Sequence, residues 1–323
     1  MIKRRDFSIA VAAALATAPL ALPSPAFGQQ VGTLKMMIPA NPGGGWDQTG
    51  RQLAAAMQGA KLVQSVSFEN KGGAAGTPGL AQFVNSAKGD PNAVIIGGLV
   101  MVGGIILNKS PVDLTMVTPI ARLTSEYEVI VVPASSPHKT MDDLVKAFKA
   151  NPGAVSWGGG SAGGTDHILV GMIAKAVGAD VAKINYVPFK GGGDSIAAIV
   201  GGHVTAGVSG LGEYAEHIKA GRMRALAVSG PTAEDGIKSL KEQGIDVVLG
   251  NWRGIFGAPG LTPAQRDQLV KLVQAATETP AWKETLNRMG WSSWFLAGDQ
   301  FKAFLDEDTR RITAIMESLG LKK

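Results

Sequence analysis

Pro42-Gly43-Gly44-Gly45-Trp46-Asp47-Gln48-Thr49-Gly50-Arg51 follows the apolar run Leu34 to Ile38 and opens a segment in which Leu53, Ala54 and Met57 share one helical face. A strand, a glycine turn and a helix, in that order, begin an α/β fold. Three glycines at such a junction leave backbone N–H groups uncovered at the start of a helix, where aligned peptide dipoles add partial positive charge. An anion suits that position. The turn holds no lysine, so a carboxylate fits it better than a nucleoside triphosphate. Taken alone, the same glycines also fit a plain flexible turn.

Outward from this stretch the chain keeps alternating. Strands are expected at Leu34–Pro39, Val63–Glu69 and Ala93–Gly97, with helices at Trp46–Met57 and at Thr77–Ala87, where Pro78 suits a first turn. Ile120–Val132 is long and apolar, with a polar interruption from Thr124 to Glu126, and is long enough to pass from one lobe to another. A second series follows. It has helices at Met141–Ala150, Thr165–Val177 (with Thr165 as N-cap), Asp194–Val200 and Tyr214–Ala220, and strands at Ala154–Trp157, Ile184–Val187 and Val204–Val208. Arg224–Ser229 is expected to lead back to the first lobe. Thr262-Pro263-Ala264-Gln265 is a capping box with proline at the first helical position. Asp299 is the expected cap of a last helix, whose stripe of Phe301, Phe304, Leu305, Ile312, Ile315, Met316 and Leu319 reads as core.

The pattern predicts an α/β protein of two lobes, each a mostly parallel sheet flanked by helices: residues 29–126 with 227–323, and residues 127–226. Glycine-rich strand-to-helix turns occur in both halves, at 42–47, 158–165 and 190–194. Ligands of open α/β sheets collect at the carboxyl ends of strands, so these turns are expected to face one cavity.

Residues 1–28 read as an export signal. Lys3-Arg4-Arg5 forms a basic start with paired arginines, Ser8 to Leu22 is apolar but short for a membrane span, and Ala26-Phe27-Gly28 offers cleavage before Gln29. Its removal lowers the formal charge from +5 to +3, and no basic cluster remains to hold nucleic acid. The chain has no cysteine, hence no disulfide framework, thiolate nucleophile or cysteine metal site. The four histidines are scattered, without the spacing of a metal shell, and no metal or cofactor is expected. Asp47 and Asp166 follow glycine turns and read as helix caps; Glu213, Glu216 and His217 read as a solvated helix face.

Gly159-Gly160-Ser161-Ala162-Gly163 fits a nucleophile elbow, so a secreted serine hydrolase is the alternative reading. The elbow needs an acid and then a histidine downstream, and only His167, His203 and His217 follow it. Gly158, Gly160 and Gly163 also match a dinucleotide fingerprint, but the acid that should end the next strand is missing. The reading that joins the turns takes N–H donors from Gly43, Gly44, Gly45 and Trp46 on one lobe. On the other it takes N–H and hydroxyl donors from Ser161, Gly163 and Thr165, with Lys190 and Gly191 in a further turn.

Five segments in order resemble the periplasmic solute-binding receptors of tripartite tricarboxylate transporters, the Bordetella uptake gene family. They are Ile38-Pro39-Ala40-Asn41-Pro42-Gly43-Gly44-Gly45-Trp46-Asp47, Glu69-Asn70-Lys71-Gly72-Gly73-Ala74-Ala75-Gly76, Gly163-Gly164-Thr165-Asp166-His167, Val187-Pro188-Phe189-Lys190-Gly191-Gly192, and Asn251 to Pro259. The resemblance covers nearly all of the mature chain. It implies a Venus-flytrap fold, a periplasmic location, a monomer without catalytic activity, and a small organic acid held by backbone amides of both lobes and passed to a membrane permease. Matched residue by residue, it implies ligand binding by Gly43, Gly44, Gly45, Trp46, Asp47, Gly73, Ala75, Ser161, Gly163, Thr165 and Gly191. Trp46 stands where the common form has Phe, and Phe189 where it has Tyr, so the tyrosine hydroxyl is absent.

Overall fold

The computed structural model describes residues 31–189 and 192–322. The expected signal and the pair Lys190-Gly191 lie outside them. The first series of elements runs β1 (Val31–Ile38), α1 (Gly45–Gly59), β2 (Val63–Asn70), α2 (Thr77–Ser86), β3 (Ala93–Gly98), α3 (Leu99–Leu107) and β4 (Thr118–Pro133). The second runs α4 (Met141–Ala150), β5 (Ser156–Gly159), α5 (Thr165–Val177), β6 (Asn185–Pro188), α6 (Gly192–Val200), β7 (Ala206–Gly210), α7 (Leu211–Lys219) and β8 (Met223–Val228). The chain closes with β9 (Gly250–Gly257), α8 (Pro263–Glu278), α9 (Pro280–Met289), β10 (Ser292–Ala297) and α10 (Gly298–Ser318). Among the described residues no helix is long and apolar enough to cross a membrane.

The strands lie in the order β2-β1-β3-β9-β4-β7-β5-β6, with β8 and β10 also paired to β4. Pairing is parallel at the two ends, among β2, β1 and β3 and among β7, β5 and β6. It is antiparallel through the middle, where β9 and β4 run. The parallel ends come from crossover helices, which return each strand in the same direction. The middle strands instead carry the chain between the halves.

β4 decides the architecture. Its 16 residues are nearly all buried. Thr118 to Tyr127 pairs with β9, and Glu128 to Val131 pairs with β7. The long apolar run therefore does span two halves, and the fold is a two-lobe α/β protein. Arg224–Ser229 departs from expectation: β8 stays in the second half, antiparallel to β4, and β9 makes the return. A strand that follows β4 closely in space gains ladder hydrogen bonds by folding back on it, which apolar content alone does not reveal.

One buried cluster covers the first half and continues into the second through Trp157, Leu169 and Ile173. α10 holds the two together. Phe301, Leu305, Ile312 and Met316 are buried along one face, each worth roughly 1.5–3 kcal/mol when fully removed from water. Leu319 beyond it packs on Gly171 of α5. Trp252 of β9 donates its indole N–H to Asp308 of α10 at 2.8 Å. Asp299 is not the cap of α10; Ala297 occupies that position without a side-chain bond, and Asp299 pairs with Arg266 at 2.7 Å instead. The Thr262 capping box forms as expected.

Candidate ligand-binding cleft

Three strand-to-helix junctions are built on glycine. β1 leads to α1 through Gly43 to Gly45, β5 to α5 through Gly160 to Gly164, and β7 to α7 through Gly210. The N-cap residues are Gly44, Gly164 and Gly210, and none of the three helices has a side-chain cap. No cap side chain covers their first-turn N–H groups, which leaves room for an anion. All three ends border one cavity of about 640 Å³.

Of the residues matched from sequence, Gly43, Gly44, Gly45, Trp46, Gly73, Ala75, Ser161 and Thr165 line this cavity. Gly191 lies outside the described residues. Asp47 and Gly163 are placed elsewhere. Asp47 is buried, accepts Gly43 N–H at 2.9 Å, and is gripped by Arg51 and Asn70. Burial alone would push its carboxyl up, but these bonds from Arg51, Gly43 and Asn70 outweigh it and hold the group below its ordinary value. Gly163 has a left-handed φ of +79°, and a Cβ there would sit 2.9 Å from Leu107. Its carbonyl presses on Gly103 of α3 so closely that any side chain at Gly103 would overlap it. Gly163 is therefore where α3 and the α5 turn touch.

The wall built by Gly73 to Gly76 is strained. All four residues have positive φ, including Ala74 at 41° and Ala75 at 54°. Non-glycine residues there cost on the order of 1–3 kcal/mol each and persist only where the surroundings hold them. Here Ala75 packs its methyl against Gly104 of α3, and Trp46 covers Gly76.

Thr165 is the first residue of α5 and not its cap. Its hydroxyl donates to Asn251 Oδ1 of β9 at 3.1 Å in a buried bond. Ser161 stands at the cavity, but the neighbouring histidine is committed elsewhere: Gly163 N–H donates to His167 Nδ1 at 3.1 Å, and the ring stacks on Tyr186 at 4.3 Å. Burial drives the His167 imidazole down to about 4, so it is neutral near pH 7.

The structure also brings to the cavity charges that the sequence reading had placed elsewhere or not singled out: Glu128, Asp166, Asp194, Glu213 and Arg253. Glu213 had been expected on a solvated face; it turns to the cleft and accepts the Ser209 hydroxyl at 2.9 Å. Asp166, expected as a cap, accepts Gly160 N–H of its own turn at 2.5 Å. The available signal was Glu126-Tyr127-Glu128 inside an otherwise apolar strand. Residues i and i+2 of a strand share a face, and both acids fall where β4 passes from one half to the other. Arg253 of β9 pairs with Glu126, lies on the Trp291 ring at 5.0 Å, and comes within 3.9 Å of Glu213. Its guanidinium occupies the space where a Cβ of Gly45 would be, and the Glu126 carboxylate likewise fills the space beside Gly210.

Burial is the main influence on the three acids Glu126, Glu128 and Asp166. It pushes Glu126 up to about 7 against the pull of Arg253, with Glu213 adding to the rise. Glu128 goes well above the ordinary carboxylate range, with Asp166, Glu126 and Glu213 adding repulsion. Asp166 rises to about 6, the Gly160 bond offsetting only part of it.

The chain as a whole has relatives among known proteins. Residues 49–321 match the family model described as the tripartite tricarboxylate transporter family receptor. The chain belongs to that receptor family. A UPF0065 protein from the gbd 5′ region of Cupriavidus necator is 29% identical, over all of this chain and 99% of its own length. Among solved structures, the periplasmic binding protein BugD superposes with a TM-score of 0.80 at 21% identity, covering 90% of this chain and 99% of its own. MatC from Rhodopseudomonas palustris, solved with bound malate, gives 0.78 at 20% identity, covering 88% and 99%. At these identities the structures speak for the two-lobe binding-protein fold. The family is one of solute-binding receptors.

Proposed function

We propose that this chain is an extracytoplasmic receptor that captures a small organic carboxylate in the cleft and delivers it to the membrane permease of a tripartite tricarboxylate transporter. In this reading residues 1–28 direct export and are removed, and the receptor works in the periplasm as a monomer. Residues 29–126 with 229–323 form one closing lobe and residues 127–228, with β8 kept whole, the other. One observation carries the proposal: the uncapped amino ends of α1 and α5, one from each half, border the same cavity. A carboxylate shared by both ends accepts charge-assisted hydrogen bonds that neither half satisfies alone. The malate bound to the structural neighbour MatC supports the ligand class.

Gly43 to Trp46, Gly73, Ala75, Ser161 and Thr165 are the proposed contacts, joined by Gly191. Lobe closure is then favoured by the ligand, because only the closed form pairs both amino ends with one anion. Calorimetric titration with a panel of mono-, di- and tricarboxylates, with and without an amino group, tests the reading. At least one acid is expected to bind in a 1:1 ratio and to reduce the radius of gyration in small-angle scattering. A panel without any binder overturns the proposal.

A further inference from the structure

The cleft carries both signs of charge. The uncapped amino end of α1 and Arg253 meet at Gly45. Glu128, Asp166 and Glu213 line the same cavity, with Glu213 3.9 Å from Arg253. Glu128 is the decisive residue. It is fully buried, it borders the cavity, and among the described residues no N–H or hydroxyl donates to its carboxyl; its polar partner is the Asp166 carboxyl, with which it can share a proton.

Its main chain is pinned. Ser229 Oγ accepts Glu128 N–H at 2.9 Å, and Ser229 N–H donates to the Glu128 carbonyl at 2.8 Å. The strand therefore fixes the direction in which the side chain leaves the backbone. The hydroxyls nearby are engaged. Tyr186 donates to the Gly160 carbonyl at 2.9 Å, and Tyr214 bonds Ser195 and the Val208 carbonyl.

The groups facing Glu128 are Glu126 from its own strand, Asp166 from α5, Glu213 and Tyr214 from α7, Tyr186 from β6 and Arg253 from β9. Four of the seven groups, counting Glu128 itself, are acids. The one cation already holds Glu126. A buried carboxylate without donor or cation is costly, and such a cluster stays in place only with protons or with a positive charge from outside.

Resting on the reading of the cleft as a carboxylate-receptor site, we propose that Glu128, with Asp166 and Glu213, receives a protonated nitrogen of the ligand, so that the solute is an amino-carboxylic acid whose carboxylate lies on the uncapped amides of α1. A ligand of this class complements both signs of charge in the cleft. A plain dicarboxylate leaves a second anion against three acids.

The two classes respond to pH with opposite sign. In the empty protein Glu128 and Asp166 keep protons to higher pH than free carboxylates do, Glu128 well above the ordinary range and Asp166 up to about 6, because burial and mutual repulsion disfavour the charged form of each. A cation displaces them, so the affinity of an aminocarboxylate rises with pH from 5.5 to 7.5. A dicarboxylate needs those protons to remain, so its affinity falls over the same range.

The test is calorimetric titration of the full mature chain at pH 5.5, 6.5 and 7.5. The probes are β-alanine, γ-aminobutyrate, 5-aminopentanoate, 6-aminohexanoate and the common α-amino acids, set beside the α,ω-dicarboxylates of matching length. The expected result is binding of at least one amino acid, at least fivefold tighter at pH 7.5 than at 5.5. Glu128→Gln should weaken it at least tenfold without weakening any dicarboxylate. Glu213→Gln, on a partly exposed helix position, gives the same direction with a smaller effect if the Glu128 variant does not fold. Binding confined to dicarboxylates, or loosening with rising pH, overturns the cation subsite and leaves the carboxylate receptor standing. Failure of every probe and of the wider acid panel overturns both.

Discussion

Gly45-Trp46-Asp47 and Gly164-Thr165-Asp166 read alike but stand one position apart in their helices. Gly44 caps α1, so Asp47 is its third residue, whereas Gly164 itself caps α5, so Asp166 is its second, and neither cap makes a side-chain bond. Their aspartates nevertheless behave oppositely. Asp47 turns inward to Arg51, Asn70 and Gly43 N–H, and is held below its ordinary value despite burial. Asp166 turns to the cleft, with Gly160 N–H as its bonded donor and with Glu128 beside it, and is raised to about 6. The first is a brace for its turn. The second is part of the site. The offset of one residue turns the two aspartates to different sides of their helices, and the electrostatic role is then set by which distant residues arrive.

The sharpest way to break this comparison is to remove the brace. Asp47→Ala strips three donors of their acceptor and should cost about 3 kcal/mol, given roughly 1.5–3 kcal/mol for each hydrogen bond to a charged group and incomplete additivity. Urea unfolding at pH 7 measures it. A loss below about 1 kcal/mol, within the range of ordinary surface substitutions, would mean that Asp47 is not the brace.

Asp166→Asn should act the other way. A carboxyl raised on folding loses stability as pH climbs from its unfolded value near 3.8 through about 6. The amide removes that loss and retains an acceptor for Gly160. The variant should be more stable than the parent by about 1–2 kcal/mol at pH 8, from roughly two units at 1.36 kcal/mol each, discounted for its partial exposure and its coupling to Glu128. It should match the parent near pH 3. For Asp47 the sign is reversed. Its contribution is present above the unfolded value and fades as pH falls through the lower folded value. Asp47→Asn should therefore flatten the acid limb of the stability curve and leave the range from pH 5 to 8 unchanged in slope. Equal slopes for the two variants would erase the distinction.

Thr165→Val tests the joint between α5 and β9. It removes the buried bond to Asn251, which should cost about 1 kcal/mol, and leaves Asn251 Oδ1 open to the cleft. The smallest effect is expected from Ser161→Ala. Among the described residues no hydrogen bond joins its side chain to His167, so stability should move by less than about 0.5 kcal/mol. Measurable ester turnover by the parent, lost in this variant, would instead favour the hydrolase reading. Gly163→Val is a poor probe of binding, because its left-handed φ and the nearby Leu107 make the change a packing defect.

Much of the fold was legible in the chain. The alternation of apolar runs and helical faces marked β1 to β3 and α4 to α7 within a few residues. The length of the Ile120–Val132 run marked the strand that joins the halves. β8 was misplaced because an apolar run states burial but not a partner. The short α3, apolar all round, was missed because such a stretch carries no period to read. For the cleft, glycine turns pointed to N–H donors since a backbone feature follows from local sequence. The acids did not announce themselves, because whether a carboxylate meets water, an arginine or another carboxylate depends on residues far along the chain.

By itself, then, the sequence determined a two-lobe alternation of strands and helices and the glycine junctions that strip helix ends of caps, since propensity and periodicity are local properties. Only the tertiary structure decided that β4 would carry Glu126 and Glu128 to the boundary of the halves, that Arg253 would neutralise the first and not the second, and that Asp166 and Glu213 would join the unneutralised one. Those outcomes are long-range electrostatics between groups 38 to 127 positions apart, and such distances close only when the chain folds.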